Sequence, residues 1–175
     1  HGIGTELLIV EGDSAASSVA SLRDAQFQAV LPMQGKPLNA IKASESKVWA
    51  YTLFQALLDS LGVRHGDLFA TDQLRFEKII LLFDPDADGI HSGALMLMFF
   101  YRYLPELLSE GKIHQVHPPW AQLSNSTEAP IYTYSEAQTT LVLEQLRAQG
   151  KIPQVVRYRG LSGIDRDILI NRCIN

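Results

Sequence analysis

"KIILLFDPDADGIHSG", residues 78–93, joins an unbroken apolar run to three aspartates at alternate positions, Asp84, Asp86 and Asp88, and closes them with Gly89. The run is short, apolar at every position after Lys78 and β-branched at its start, the pattern of a parallel strand buried on both faces. Like charges that close raise one another's pKa unless water or a cation neutralises them, so the loop invites a divalent metal. An EF-hand shares this spacing but needs a bidentate Glu at its twelfth position and a helix before it. Neither condition holds: the twelfth position from Asp84 is Leu95, and the segment before the acids reads as a strand. The acids therefore cap a strand, at the end where open α/β sheets place their ligands. A solvated acidic turn is the alternative without chemistry.

Upstream, "TELLIVEG" (5–12) is a buried strand ending on Glu11, and "SAASSVASLR" (14–23) is a short helix with Asp13 or Ser14 available to cap it. "FQAVLPM" (27–33) is a second strand, stopped by "QGKPLN", and residues 44–61 repeat apolar side chains at Val48, Leu53, Leu57 and Leu61 with near-helical spacing. Downstream of the acids, "DGIHSGALMLMFFYRYLPELLSEG" predicts one helix ending at Gly111, its inward stripe Ile90, Ala94, Leu97, Met98, Tyr101, Leu104 and Leu108. "KIHQVH" opens a fourth strand. Strand and helix alternate through residue 119, which predicts an α/β fold with a parallel sheet and helices on both faces. Residues 120–175 then read as a small α+β C-terminal appendage: a polar loop "NSTEAP" (125–130), a strand "IYTYS", a helix behind a capping box from Ser135 to Gln138, and a strand-like "QVVRYRG".

With 175 residues, 46% of them apolar and 19% charged, the chain can bury a core and is not disordered. Its net charge of -4, from 15 basic and 19 acidic residues, excludes a global positive field, so a polyanion must be met by a local patch or through a metal. From Leu141 onward Arg147, Lys151, Arg157, Arg159, Arg166 and Arg172 outnumber Glu144, Asp165 and Asp167. Cys173 is the only cysteine, which excludes an intrachain disulfide and fits a reducing compartment. No apolar run reaches the length of a membrane span and no secretory signal opens the chain, so a cytoplasmic protein without membrane partners is expected. The start at His1 rather than Met suggests a fragment of a longer protein.

If the strands ending at Glu11 and Asp84 are neighbours, about 4.8 Å apart, their carboxylates converge on one small volume. No Lys or Arg stands within these motifs. Mg²⁺ prefers few carboxylates, several waters and phosphate oxygens, which suits phosphoryl transfer.

The blocks "LLIVEGDSAAS", "FQAVLPMQGKPLNAIKA", "IILLFDPDADGIHSGALMLMFFYRYLPELLSEGKI", "HPPW" and "VVRYRGL" resemble, in order and over nearly the whole chain, the B subunits of bacterial type IIA topoisomerases, gyrase and topoisomerase IV. The resemblance centres on the Rossmann-like Toprim fold, expected over residues 1–119. It implies a metal-dependent DNA cleavage and religation module with Glu11, Asp84 and Asp86 catalytic and Glu11, Asp84, Asp86 and Asp88 holding Mg²⁺, for which Mn²⁺ can substitute. A partner A subunit would supply the attacking tyrosine, and ATP would be used only by the protein's own N-terminal ATPase region, outside this chain. Duplex DNA contacts are expected from Lys36, in a loop open to phosphate, and from His91, Arg157 and Arg159. Tyr158, although it lies in "RYRG", matches no nucleophile of that family.

Several positions depart from the family's pattern. Ala16 and Ser17 replace a glycine pair, Gln34 and Gly93 stand where Arg is usual, Phe83 replaces a polar residue, Pro85 separates the first two acids, and Ser162 and Gly163 alter "RYKGLGE". An Arg lost from a phosphate contact lowers affinity and its salt dependence. Two other functions stay open: a non-catalytic paralogue that serves as a DNA-binding or assembly module, and a Toprim nuclease cutting with water.

Overall fold

The computed structural model describes residues 4–63, 74–125 and 128–174. Four strands form a parallel sheet in the order β2-β1-β3-β4: β1 (Glu6–Glu11), β2 (Gln28–Met33), β3 (Lys78–Leu82) and β4 (Ile113–Val116). Between them run α1 (Asp13–Leu22), α2 (Glu45–Trp49), α3 (Thr52–Leu61), α4 (Ala87–Tyr103) and α5 (Pro105–Ser109). Because the chain steps from β1 to β2 on one side and returns past β1 to β3 on the other, right-handed crossovers place α1 and α3 on opposite faces. The direction of winding reverses between β1 and β3. Glu11 and the acidic loop stand at that switch.

Side-chain alternation divides the core. Leu7, Ile9, Ile79 and Leu81 face a layer of Phe54, Leu57, Leu61, Met96, Phe99 and Phe100, with Phe54 and Phe99 stacked at 3.9 Å between ring centroids. Leu8, Val10, Ile80 and Leu82 face Ala15, Ala16 and Val19 of α1, and beside them Tyr158, Leu161, Ile164, Leu169, Cys173 and Ile174. Each Val, Leu, Ile, Met or Phe among them contributes about 1.5–3 kcal/mol when fully buried. The chain's last stretch thus covers one face of the parallel sheet, which its sequence, short of long apolar runs, did not disclose.

Residues 121–157 form a second layer. β5 (Ala121–Ser124), which has no counterpart in the sequence reading, is the centre of an antiparallel sheet ordered β6-β5-β7 with β6 (Ile131–Thr133) and β7 (Gln154–Arg157). α6 (Glu136–Ala148) follows β6, and the Ser135 cap forms as expected, its Oγ accepting from Gln138 N at 3.1 Å. The reciprocal bond goes one residue further back: Tyr134 N donates to Gln138 Oε1 at 2.8 Å. Of the expected loop "NSTEAP", Ser126 and Thr127 lie outside the described residues. A 3₁₀ turn (Leu161–Gly163), α7 (Arg166–Leu169) and a wide turn (Ile170–Ile174) complete the fold.

Other expectations are corrected. The helix expected over 44–61 is broken at Ala50 and Tyr51 into α2 and α3, although its apolar positions are all buried. The helix expected from 88 to 111 is interrupted at Leu104, where Pro105 opens α5 as its first residue. Gly111, at φ 67°, closes α5, as Lys112 N donates to Leu107 O at 2.9 Å. The expected inward stripe of α4 is largely its outward one: Ile90 is 58% and Tyr101 69% exposed, Met98 is also exposed, and Leu95, Met96, Phe99 and Phe100 point inward instead. α4 is apolar nearly all round, so periodicity alone offered two faces and the two aromatic rings at 99–100 decided between them. α1 is capped by Gly12, at φ 83°, and not by Asp13 or Ser14.

Candidate metal and nucleic-acid site

Glu11 ends β1, half-buried, one residue past the last pair of the β1–β3 ladder, Val10 with Leu82. Burial is the main cause that raises its pKa, Asp84, Asp86 and Asp88 add to the rise, and Ser92 opposes it. Ser92 is wholly buried on α4, and its hydroxyl falls short of full hydrogen-bond geometry with any partner. Asp84 leaves β3 beyond the buried Phe83 and accepts a hydrogen bond from Leu161 N at 2.8 Å. Its pKa is raised by burial, an effect that the Leu161 amide opposes and Asp86 reinforces. Asp86 is the N-cap of α4: its Oδ1 accepts from Gly89 N at 2.9 Å. Asp88, exposed in the first turn, lies 2.6 Å from Lys36 Nζ, and this pairing, helped by His91, lowers its pKa.

Two glycines make this geometry possible. A Cβ on Gly89 would lie 2.0 Å from Asp84 O, so α4 can begin this close to β3 only without a side chain there. A Cβ on Gly160 would meet the Asp84 carboxylate at 3.3 Å, which lets the Leu161 amide approach.

The charges of the three aspartates bear on Glu11, and each aspartate also has a local partner: the Leu161 amide, the Gly89 amide and Lys36. Among the described residues no three His, Cys, Asp or Glu side chains form a ready-made metal cage. The donor set nevertheless suits a hard divalent cation that takes one or two carboxylates and completes its shell with water and phosphate oxygens. Burial and mutual repulsion at Glu11 and Asp84 are what such a cation relieves. Beside them the first amides of α1, free of any side-chain cap, face the same end of the sheet.

The expected DNA contacts separate. Lys36 and His91 lie at the acids, Lys36 on the loop after β2 with its ammonium on Asp88. Arg157 lies on edge strand β7 with its guanidinium 4.0 Å from the Trp120 ring centroid, and Arg159 is exposed just beyond. Tyr158 is buried and donates to Gln122 Oε1 at 2.6 Å, which suits packing and not nucleophilic attack. Sequence reasoning missed the Leu161 amide, Gly160 and Ser92. The block "VVRYRGL" was visible, but nothing local in it announces a bond to a residue so far back in the chain.

The carboxylates at the reversal of a doubly wound parallel sheet define a Rossmann-like α/β domain with an acidic site at its carboxyl edge. A model of the Toprim domain matches residues 6–118, and the chain belongs to that family. It is 39% identical over 164 residues to the DNA gyrase B subunit of Spiroplasma citri, covering 94% of this chain and 26% of the relative. To the DNA gyrase B subunit of Thermotoga maritima it is 37% identical over 175 residues, 100% of this chain and 27% of the relative. To the DNA topoisomerase 4 B subunit of Caulobacter vibrioides it is 38% identical over 158 residues, 90% of this chain and 22% of the relative. The chain spans about a quarter of the length of these curated relatives. The fold is similar to that of the Plasmodium falciparum topoisomerase II DNA-binding, cleavage and re-ligation domain, with a TM-score of 0.79 at 21% identity over 94% of this chain and 23% of that one. Among the described residues no helix is long and apolar enough to cross a membrane.

Proposed function

We propose that this chain is the metal-binding half of the DNA-breaking and rejoining centre of a type IIA topoisomerase B subunit, completed by a tyrosine from a partner A subunit. The observation that carries the reading is the meeting of Glu11 with the Asp84–Asp88 loop at the switch between β1 and β3, where burial and mutual repulsion favour a cation. Glu11, Asp84, Asp86 and Asp88 would hold Mg²⁺ or Mn²⁺, Asp84 being oriented by the Leu161 amide. When bound, the metal supplies charge stabilisation at the scissile phosphate and the departing oxygen. Glu11, whose proton affinity is raised, exchanges the proton at the 3′ oxygen. The uncapped α1 amides face a phosphate, and Arg157 and Arg159 bind the duplex further along. ATP is used in a separate N-terminal region, and the assembly works in the cytoplasm.

The test joins the chain to its own ATPase region and cognate A subunit. The parent should give Mg²⁺-dependent breaks with protein on the 5′ ends, resolved on gels after detergent and protease treatment, and Glu11→Gln should reduce them by about a hundredfold or more. Equal cleavage by the two would remove Glu11 from the chemistry. The non-catalytic paralogue has one observation in its favour. At Gly93 a Cβ would lie 2.7 Å from Gln115 Nε2 and 3.5 Å from the Phe83 ring, so the Arg usual at that position would enter only with the end of the Gln115 side chain swung aside. Cleavage absent from the reconstituted parent and recovered by Gln34→Arg would favour that reading.

A further inference from the structure

We propose that Lys36 is a tethered counter-ion that occupies the acidic loop in competition with a divalent cation and is released toward DNA when the cation binds. This rests on the metal reading above and concerns a residue outside the metal-holding set. Lys36 Nζ lies 2.6 Å from Asp88 Oδ1, and its charge is also felt at Glu11 and Asp86. The ammonium pairs with Asp88 alone, and its charge bears on Glu11 and Asp86 from further off. His91 is the other basic side chain that bears on Asp88.

The backbone that carries Lys36 is pinned while its side chain is not. Gly35 turns at φ 67°, Tyr51 Oη donates to Lys36 O at 3.2 Å, and Gln34 Nε2 donates to Asp13 Oδ1 next to the start of α1. From this fixed base the flexible stem reaches across to α4, and the bridge is solvent-accessible at both ends, with side-chain exposures of 46% and 73%. Such a pair is weak and screened, so it can be displaced by a divalent ion drawn to the same carboxylates. Once displaced, the ammonium stands on the same edge of the sheet as the α1 amides, within reach of the phosphate that the metal also contacts. Metal and DNA binding are then coupled through one side chain, and reciprocally so.

The test measures Mn²⁺ binding to the chain by titration calorimetry without DNA. Lys36→Met should bind Mn²⁺ about two- to fivefold more tightly than the parent, the size expected for releasing a solvent-exposed ion pair. Lys36→Arg, which keeps the cation, should bind like the parent. In the Asp88→Asn background the gain from Lys36→Met should shrink toward none, because the partner has lost its charge. Duplex titrations should show Mn²⁺ strengthening DNA binding more in the parent than in Lys36→Met. Equal or weaker Mn²⁺ binding by Lys36→Met, with the parent still binding, overturns the counter-ion role and leaves the metal site standing. No Mn²⁺ binding by either overturns the metal reading and the counter-ion with it.

Discussion

Glu11 occupies a place that stability alone would not choose. Its carboxyl is half-buried, and three aspartates oppose its ionisation, so its folded pKa lies above the ordinary value. A carboxyl shifted upward binds its proton more tightly in the folded state than in the unfolded one. Its ionisation therefore destabilises the fold, by nothing below the unfolded pKa and by the full amount above the folded one. Lys36 lessens the effect and the other acids increase it. Without divalent cation, Glu11→Gln should melt at a higher temperature than the parent at neutral pH, and the gap should close as the pH falls below the usual Glu range. A parent as stable as the variant at neutral pH would mean that the charge is already compensated. Gly89 gives the opposite case. Its missing Cβ would lie 2.0 Å from the Asp84 carbonyl, so Gly89→Ala must push α4 away from β3. A loss of about 1–3 kcal/mol in urea unfolding is expected, together with weaker Mn²⁺ binding because Asp84 and Asp86 move apart.

α4 shows where a pattern in the sequence decides and where it does not. The strands could be read in advance because a parallel strand buried on both faces leaves a continuous apolar run, and "LLIV" and "IILL" have no competing reading. The acids were legible for the same reason, standing where those runs stop. A long helix with apolar side chains nearly all round carries no such mark, and the face that looked inward proved to be mostly the outer one. Phe99 stacks on Phe54 at the centre of the layer, whereas Tyr101 projects from it. Phe99→Ala should therefore cost about 3–5 kcal/mol, and Tyr101→Ala should stay within about 0.5 kcal/mol of the parent. Chemical denaturation of the two variants distinguishes the faces; similar losses would reverse the assignment. The Leu161 amide lay beyond the reach of any local pattern, because its partner Asp84 is brought to it only by the docking of the C-terminal stretch.

That docking ties the molecule together. Residues 1–119 contain all four parallel strands and the acids, and were expected to form the core, with 120–175 appended. One face of the sheet nevertheless depends on Leu161, Ile164, Leu169, Cys173 and Ile174, which cover Leu8, Val10, Ile80 and Leu82 beside α1. α1 contributes little to that cover beyond two alanines and Val19, so its small side chains leave space that the C-terminal stretch fills. Residue 119 is therefore no boundary of independent stability if this packing governs the fold. Residues 1–119 alone would expose two leucines, an isoleucine and a valine on the open face of the sheet, and about 1.5–3 kcal/mol for each is a large share of a domain's net stability. We expect the isolated 1–119 segment to fail to unfold cooperatively, and the whole chain to melt in one transition. Leu169→Ala, which touches none of the acids, should lower that transition by about 2–5 kcal/mol. It should also loosen the Leu161 amide from Asp84, seen as faster hydrogen exchange at Leu161 and weaker Mn²⁺ binding. A sharply melting 1–119 segment that binds Mn²⁺ as the whole chain does would show that the C-terminal stretch is an appendage after all.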